Sequence, residues 1–555
     1  MKTSASPLLR VILAVLCCGL LLPAHVKGAA SKPNIILIYS DDVGIGDIHC
    51  CGGPFNTPNI DTLAKGGTRF EYCYATPLCG PSRCETLTGR YPFRTGLNSN
   101  GSANAVAPDR EVMIPTVMKK AGYVTASAGK WGQVCLGPKE WGFDEHIVFK
   151  GSGRYWSSQV KTYDVNGETK QLHEGEYLPD LLHNFAVDFI TRHKEGPFFL
   201  YYPMSHIHGP ILRTPDSKPQ SDKDRLYADN IEYMDKLVGR LMTELDRLKL
   251  RENTIVIFTG DNGTAHFGAG TATVDGKKVN GMKASMLEGG SRVPLVVNCP
   301  GTTPAGKVNH DLIDFSDFFS TFAELGGAPL PENVTLDSHS FAPQIKGETG
   351  SPRQWAYVEL GGNSYARDAR YKLTNTGELF DLTNAPWVEA PVAADTKDEG
   401  AVAARAKLQA VLAEHPAKQG DGKGKKNKKN KQGKKKKKKG AEPPAVTPTP
   451  GSTTPATPAP EEGGRKKRKK KAAQEAPAAT TQTPATPNAT PAPDEGGKKK
   501  RKKKAAQETP TTTAQTPGTP NATPAPDEGG KKKRKKKAAQ EAPAATPAPA
   551  PKAET

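Results

Sequence analysis

The chain has 555 residues and a formal net charge of +19, with 77 Lys and Arg against 58 Asp and Glu. Residues 418–555 hold 35 Lys and Arg against 12 Asp and Glu, so the rest of the chain has a net charge of −4. The basic character therefore belongs to the C-terminal tail and gives no reason to expect a nucleic-acid-binding fold elsewhere. Nine cysteines in this length also exclude a disulfide-stapled scaffold.

The N-terminus has the pattern of an export signal. Lys2 and Arg10 precede the uncharged apolar run 11–22, and small residues follow at 28–30. This order is typical of a cleavable signal peptide, and the apolar run is shorter than the about 20 residues that a membrane-spanning helix needs. We therefore predict a signal peptide at residues 1–30 and a mature protein that is secreted, periplasmic or at the cell surface.

Apolar runs and amphipathic stretches alternate from residue 31 to about residue 416. The runs predict buried strands at Asn34–Tyr39, Phe198–Met204 and Thr254–Phe258, with a weaker strand signal at Tyr123–Ala128, and helical spacing predicts helices at Asp224–Leu250 and Asp311–Leu325. Strands that alternate with helices predict an α/β fold, in which helices cover both faces of a large, mostly parallel sheet.

Polar side chains follow each predicted strand. Asp41 and Asp42 follow the first strand, Lys130 the second, His208 the third, and Asp261 with Asn262 the fourth. Open α/β sheets bind ligands at the carboxyl ends of their strands, so we expect these side chains to share one site.

The acidic members of this set, with one amide, predict a metal site. Asp41, Asp42, Asp261 and Asn262 offer only hard oxygen ligands, which favour Ca²⁺ or Mg²⁺ over Zn²⁺. Asp and Asn also terminate strands in ordinary turns, so either pair alone leaves that alternative open.

A cysteine motif, Cys79-Gly-Pro-Ser-Arg83, predicts the start of a helix. Pro81 suits the first turn of a helix, and Cys79 comes just before that turn. An anion at this position would meet free backbone N–H groups and the positive end of the helix dipole. The alternative is an ordinary buried cysteine ahead of a helix.

The longer motif Cys79-x-Pro-Ser-Arg83-x-x-x-Leu-Thr-Gly89 resembles the signature of the type I sulfatases, which are arylsulfatase-like enzymes of the alkaline-phosphatase-like superfamily. The resemblance continues in the family's order over about residues 33–385. Its further segments are Asn34–Asp42, Gly129–Trp131, Met204–Pro210 with His208, Asp261–Gly263, Lys283 ahead of Glu288–Pro294, and Glu378–Asn384.

The resemblance implies a sulfuric ester hydrolase with a modified nucleophile. In the family a maturation enzyme oxidises the cysteine, here Cys79, to formylglycine, and the hydrated aldehyde attacks sulfur. It further implies the following site: metal ligands Asp41, Asp42, Asp261, Asn262 and modified Cys79; Arg83 beside the nucleophile; Lys130, His208 and Lys283 on the sulfate, with His208 as general acid. The implied cofactors are Ca²⁺, with Mg²⁺ as the alternative, and formylglycine itself.

The family pattern also sets the expected domains, and one position departs from it. We expect a catalytic α/β domain at 31–345 and a small antiparallel C-terminal subdomain at 346–416. The family usually has His directly after Gly-Lys-Trp, where this chain has Gly132 followed by Gln133. In the family that histidine is thought to help release sulfate, so His206 or Gln133 would have to replace it, or turnover would be slow.

The predicted tail, residues 417–555, consists of basic clusters that recur with a period of 33 residues between Pro/Thr/Ala-rich spacers. The tail has too few apolar residues for their burial to offset the conformational entropy that folding costs, so we predict disorder. Such clusters bind polyanions, and an anionic glycan or surface polymer is the expected partner rather than a specific nucleic acid. A solubilising spacer without a partner is the alternative.

Three functions remain open from the sequence. The first is an exported sulfatase that acts on a sulfated small molecule or polysaccharide, with Arg154, Tyr155, Trp156 and Tyr163 in the loop 150–174 suited to binding a ring. The second is a phosphonate or phosphodiester hydrolase of the same superfamily. The third is a catalytically silent relative that binds polyanions.

Overall fold

The structure is a computed structural model that describes residues 32–131 and 134–417. The predicted signal peptide, Gly132 with Gln133, and the predicted tail from Lys418 onward lie outside the described residues. Within the described ranges, no helix has the length and apolarity that a membrane crossing requires.

A ten-stranded sheet organises most of the described chain, in the order β12-β2-β11-β8-β1-β7-β3-β4-β5-β6. Its strands are β1 Asn34–Ser40, β2 Thr68–Tyr74, β3 Val124–Lys130, β4 Glu145–Phe149, β5 Thr162–Val165, β6 Glu168–Gln171, β7 Phe198–Pro203, β8 Thr254–Gly260, β11 Arg292–Asn298 and β12 Lys307–Asp314; β9 Thr273–Val274 and β10 Lys277–Lys278 form a separate hairpin. Strands β11 and β5 run opposite to the other eight, and the central five, β8-β1-β7-β3-β4, are all parallel.

Helices cover both faces of this sheet. They are α1 Pro58–Lys65, α2 Cys79–Thr88, α3 Pro92–Thr95, α4 Ile114–Lys120, α5 Leu178–Arg192, α6 Lys223–Arg247, α7 Glu288–Ser291, α8 Asp317–Gly326, α9 Ala342–Ile345 and α10 Glu399–Glu414. Because side chains alternate along a strand, β1 sends Ile35 and Leu37 into one apolar core and Ile36 and Ile38 into the other. A strand buried on both faces explains the continuous apolar run in its sequence.

The longest helix shows how the sequence fixes one of these layers. Asp222 caps α6 by accepting a hydrogen bond from the backbone N–H of Arg225 at 2.8 Å. Along α6, Ile231, Met234 and Val238 recur at helical spacing and are buried against the sheet. The predicted helix at 224–250 is thereby confirmed.

A second, five-stranded antiparallel sheet follows in the chain. It consists of β13 Ala356–Leu360, β14 Asn363–Arg367, β15 Tyr371–Thr374, β16 Leu379–Asp381 and β17 Ala390–Val392 in simple sequential order. The helix α10 packs on it, with Leu408 buried beside Leu373. The predicted fold class, a large and mostly parallel sheet with a small antiparallel C-terminal sheet, is confirmed.

One predicted element is wrong in its first half. The segment Asp311–Leu325 was expected to be one helix, but β12 extends to Asp314 and α8 begins at Asp317. Leu312 and Ile313 lie in β12 because they pair with β2, which buries them at the sheet edge. The chain turns at Asp314, whose backbone N–H donates to the Asp317 carboxylate at 2.9 Å.

Candidate active site and metal-binding site

Two neighbouring strands bring the predicted acidic groups together. Asp41 and Asp42 follow β1, Asp261 and Asn262 follow β8, and the two strands are parallel and in register to their ends. The backbone N–H of Asp42 donates to Asp261 Oδ1 at 3.0 Å, and Asn262 Nδ2 donates to Asp42 Oδ1 at 3.0 Å. All four side chains are buried, so they form one compact set of oxygen atoms.

Cys79 is the first residue of α2, and the helix aims it at these oxygens. Its Sγ and one carboxylate oxygen each from Asp41 and Asp261 lie within 4.8 Å of one another. Pro81 occupies the first turn, where a missing N–H costs no helical hydrogen bond, as the sequence predicted. The cysteine is buried, at 1% exposure, so its surroundings decide what can reach it.

Asn100 contacts the cysteine, and sequence reasoning missed it. Its Nδ2 lies 3.4 Å from the Cys79 Sγ, and its Oδ1 accepts a hydrogen bond from the Gly80 N–H at 3.0 Å. This side chain satisfies one of the free N–H groups at the start of α2. It comes from a loop without a recognisable motif, so only the folded chain reveals it.

Arg83 lies one helical turn after Cys79 and faces the same site. Its Nε and Nη2 both donate to Asp261 Oδ2, at 3.0 and 2.8 Å, and its guanidinium lies 5.0 Å from the centre of the Tyr39 ring. Burial alone would lower the pKa of Arg83, but the nearby Asp261, Tyr201 and other groups raise it well above its usual value. The guanidinium is therefore a permanent positive charge that fixes Asp261.

Two lysines approach the carboxylates from other directions. Lys130, at the end of β3, is buried and donates to Asp41 Oδ2 at 2.6 Å. Lys283, from the loop after β10, donates to Asp42 Oδ1. Burial would lower the pKa of Lys283, yet Asp42 and Asp41 outweigh burial and raise it.

His208 completes the set, whereas His206 points elsewhere. His208 Nε2 lies 3.9 Å from Asp42 Oδ2, its Nδ1 lies 2.8 Å from the Gly209 carbonyl oxygen, and its side chain is 27% exposed. His206 is fully buried, with Nε2 3.0 Å from the Tyr177 hydroxyl, and burial lowers its pKa to about 3. The structure thus does not bring His206 into the site as a replacement for the missing family histidine.

The surrounding charges act unequally on the two central carboxylates. Burial raises the pKa of Asp41, but Lys130 outweighs that effect with help from Arg83, and the pKa is lowered. Burial and the neighbouring Asp41 raise the pKa of Asp261 despite Arg83. Closely spaced carboxylates in a buried place favour binding of a cation.

The donor atoms fit a hard divalent cation. Among the described residues, Asp41 Oδ1 and Asn262 Oδ1 are buried and have no hydrogen-bond partner. Buried polar atoms are nearly always partnered, so two free oxygens beside Asp42 and Asp261 indicate a ligand that binds oxygen. The structure thus contains an acidic site that can hold a metal ion of the Ca²⁺ or Mg²⁺ type.

Of the aromatic residues that were expected to bind a substrate ring, one is fully buried and the other two are half-buried. Tyr155 is buried, and its hydroxyl donates to the backbone oxygens of Ser205 and His208 at 3.1 and 2.7 Å. The expectation that Tyr155 stacks on a ring is therefore wrong; the residue supports the loop that carries His208. Trp156 and Tyr163 remain half-buried.

Comparisons with known proteins show which family this chain is similar to. The model of the Sulfatase family matches residues 33–328. N-acetylgalactosamine-6-sulfatase of Canis lupus familiaris is 32% identical over 380 residues, covering 61% of this chain and 70% of that protein. Human arylsulfatase A is 34% identical over 383 residues, covering 62% and 75%.

A solved structure shares the fold as well. Ps i-CgsB in complex with k-i-k-neocarrahexaose has a TM-score of 0.60 and 29% identity, over 69% of this chain and 93% of that one. Both sequence relatives above are named sulfatases, that is, sulfuric ester hydrolases, so the predicted enzyme class is confirmed. On the family match and the shared fold together, the chain belongs to the sulfatase family.

Proposed function

We propose that the protein is an exported sulfatase that hydrolyses carbohydrate or aryl sulfate esters with a formylglycine nucleophile made from Cys79. The observation that carries the proposal is the position of Cys79, buried at the start of α2 with its sulfur beside Asp41 and Asp261. Oxidation of this cysteine to a hydrated aldehyde replaces its soft sulfur with hard oxygen atoms, which are the ligands that Ca²⁺ and Mg²⁺ prefer. An oxygen group made from it would suit a metal site.

The metal-binding residues would be Asp41, Asp42, Asp261 and Asn262, joined by the modified residue 79. The free Oδ1 atoms of Asp41 and Asn262 support this assignment. Oxygen-only ligands favour Ca²⁺, with Mg²⁺ as the alternative. Such an ion supplies positive charge that polarises oxygen groups and lowers their pKa, and formylglycine supplies a hydrated aldehyde as the attacking group.

The charges of the site favour an anionic substrate. Three carboxylates, those of Asp41, Asp42 and Asp261, face three basic side chains, which are Arg83, Lys130 and Lys283. The protein groups therefore cancel, and a bound divalent cation leaves the site positive. Preorganised positive groups in a place that excludes water stabilise charge on sulfate oxygens strongly.

Each cation has a separate role in this proposal. Arg83 holds Asp261 through two hydrogen bonds and keeps it oriented toward residue 79. Lys130 contacts Asp41 and Lys283 contacts Asp42, and both lysines would bind sulfate oxygens. His208 is the most exposed of these groups, so it would protonate the departing alcohol, and imidazole is the side chain that most often serves in general acid–base catalysis.

The relatives point to sulfated carbohydrate as the substrate class. N-acetylgalactosamine-6-sulfatase carries a sulfated sugar in its name, and Ps i-CgsB was solved with an oligosaccharide. A maturation enzyme that oxidises Cys79 is a required partner. The basic tail would hold the enzyme on an anionic glycan or surface polymer through salt-sensitive contacts.

A catalytically silent polyanion-binding protein is the second candidate. Two observations favour it: position 132 is glycine, and within the described residues His206 lies among tyrosines rather than in the site. Under the sulfatase proposal turnover continues, with slow release of sulfate. The two candidates therefore differ in whether any sulfate is released.

The decisive experiment combines mass spectrometry and kinetics on protein from its native host. We expect the peptide containing residue 79 to carry formylglycine, and an aryl sulfate to be hydrolysed faster than an aryl phosphodiester. The matched control is Cys79→Ala, which removes only the convertible side chain. Unconverted thiol throughout, or no release of sulfate, would refute the proposal; a preference for the diester would establish the phosphodiesterase alternative.

A further inference from the structure

A buried ion pair in the small C-terminal sheet contacts the segment that carries Lys283. Lys372 lies on β15, Glu389 directly precedes β17, and their side chains form an ion pair with only 2% and 1% exposure. The ammonium also lies 4.9 Å from the centre of the Tyr365 ring. The pair is thus enclosed by the sheet on one side and by residues 286–288 on the other.

Each partner of the pair also binds the backbone of that segment. Lys372 Nζ donates to the Met286 carbonyl oxygen at 3.1 Å, and the Glu288 N–H donates to Glu389 Oε1 at 2.8 Å. The two anchors hold the chain on either side of Leu287, three and five residues after Lys283. One end of the segment is therefore fixed from another sheet.

The segment 279–287 has no strand or helix of its own to fix it. It runs from β10 to α7, and separate contacts along its length hold its backbone; among them, the Lys283 N–H donates to the Thr264 oxygen at 2.9 Å, the Ala284 N–H to the Pro77 oxygen at 2.8 Å and the Asn280 N–H to the Pro386 oxygen at 2.8 Å. The position of the Lys283 ammonium beside Asp42 therefore depends on anchors of this kind. A displacement of about 1 Å in such a group can cost about 100-fold in rate.

Stability alone is a weak reason for a buried pair. Taking two charges out of water costs several kcal/mol per ion, and well-packed apolar replacements are often equally stable. The pair supplies what an apolar pair cannot, a donor for Met286 and an acceptor for Glu288 at fixed positions. We propose that Lys372 and Glu389 are positioning residues that place Lys283 for binding substrate sulfate, an inference that rests on the proposed function.

The test replaces both ions together, because a single replacement would leave one buried charge without its partner. The double variant K372M/E389M keeps an apolar filling and removes both backbone anchors. The matched control is R370M/D381N, which removes an ion pair of the same sheet at the surface, with the arginine 58% exposed. Three measurements are compared: urea unfolding, steady-state kinetics with inhibition by inorganic sulfate, and acetylation of individual lysines followed by peptide mass spectrometry.

We expect the double variant to fold, with kcat/KM for an aryl sulfate lowered about 100-fold and weaker inhibition by sulfate. Acetylation of Lys283 should rise several-fold while that of Lys130, which these anchors do not touch, stays unchanged. The surface control should match the unsubstituted protein in all three measurements.

Other results would overturn the inference. Unchanged Lys283 acetylation in a folded double variant would show that the pair does not set its position. A double variant that fails to fold would show that the pair maintains the fold instead. Acetylation is measured without turnover, so a protein with no sulfatase activity would refute the proposed function while this positional test still gives its own answer.

Discussion

Gly129 lies near the end of β3, directly before the site residue Lys130, and we predict that Gly129→Ala lowers both the stability of the fold and the activity. Its φ is +142°, a conformation that residues with a side chain rarely adopt, and an added Cβ would lie 1.9 Å from the Pro203 carbonyl oxygen. Pro203 ends β7, the strand beside β3, and a Cβ needs at least 3.0 Å from such an atom. The two strand ends must therefore separate by about 1 Å or Gly129 must change its backbone angles.

The expected cost follows from two separate effects. A conformation restricted to glycine costs about 1–3 kcal/mol for alanine, and forced overpacking adds about 1–3 kcal/mol, so we expect a loss of about 2–6 kcal/mol in the free energy of unfolding. Lys130 is the next residue, so a separation of the ends of β7 and β3 would also move its side chain away from Asp41. A shift of about 1 Å there predicts a fall of about 100-fold in kcat/KM.

The assay is equilibrium urea unfolding together with kcat/KM for an aryl sulfate, with Gly167→Ala as the matched control. Gly167 also has positive φ, +93°, but an added Cβ there meets no atom within 4 Å. The control should lose about 1–2 kcal/mol from conformation alone and keep full activity. Equal losses in the two variants would refute the steric argument.

Three further predictions follow from the site and its supports. Lys130→Met leaves the buried Asp41 carboxylate without its nearest cation, so the free energy of unfolding measured in EDTA should fall by about 3–5 kcal/mol, and added Ca²⁺ should restore part of that loss; no response to Ca²⁺ would contradict the metal site. Burial lowers the pKa of His206 to about 3 in the folded protein, against about 6.5 in the unfolded chain, so below pH 6.5 only the unfolded chain gains this proton and stability falls. Between pH 7 and pH 5 this group accounts for a loss of about 2 kcal/mol in the free energy of unfolding. In His206→Gln, the free energy of unfolding in urea should vary less with pH over this range, by that amount. Asn100→Ala removes the partners of Cys79 and Gly80 and should cost about 1–3 kcal/mol; an unchanged urea midpoint would show that these contacts contribute nothing.

Much of the fold was accessible from sequence because its signals are local. The four predicted strands are confirmed within two residues at each end, since a strand buried on both faces needs a continuous apolar run. The polar residues after these strands were expected to share one edge, and Asp42 and Asp261 are indeed hydrogen-bonded there. Parallel strands in one sheet make this consequence nearly automatic.

The error at Asp311–Leu325 has the opposite origin. Apolar residues at 312, 313, 315, 318 and 319 fit a helical face, yet β2 pairs with the first of them and extends the sheet. Short apolar runs fit either structure, and a neighbouring strand 240 or so residues away in sequence decides between them. The sequence pattern around residues 311–325 does not reveal that β2 is the pairing strand.

The sequence by itself determined the chemistry available at position 79, the acidic pairs and the cationic residues around them. Tertiary structure alone decided that His206 lies among tyrosines and that Asn100 reaches Cys79. It also placed the Lys372–Glu389 pair against residues 286–288. Residue type and spacing describe one segment at a time, whereas these contacts depend on where separate segments cross, which only packing of the whole chain fixes.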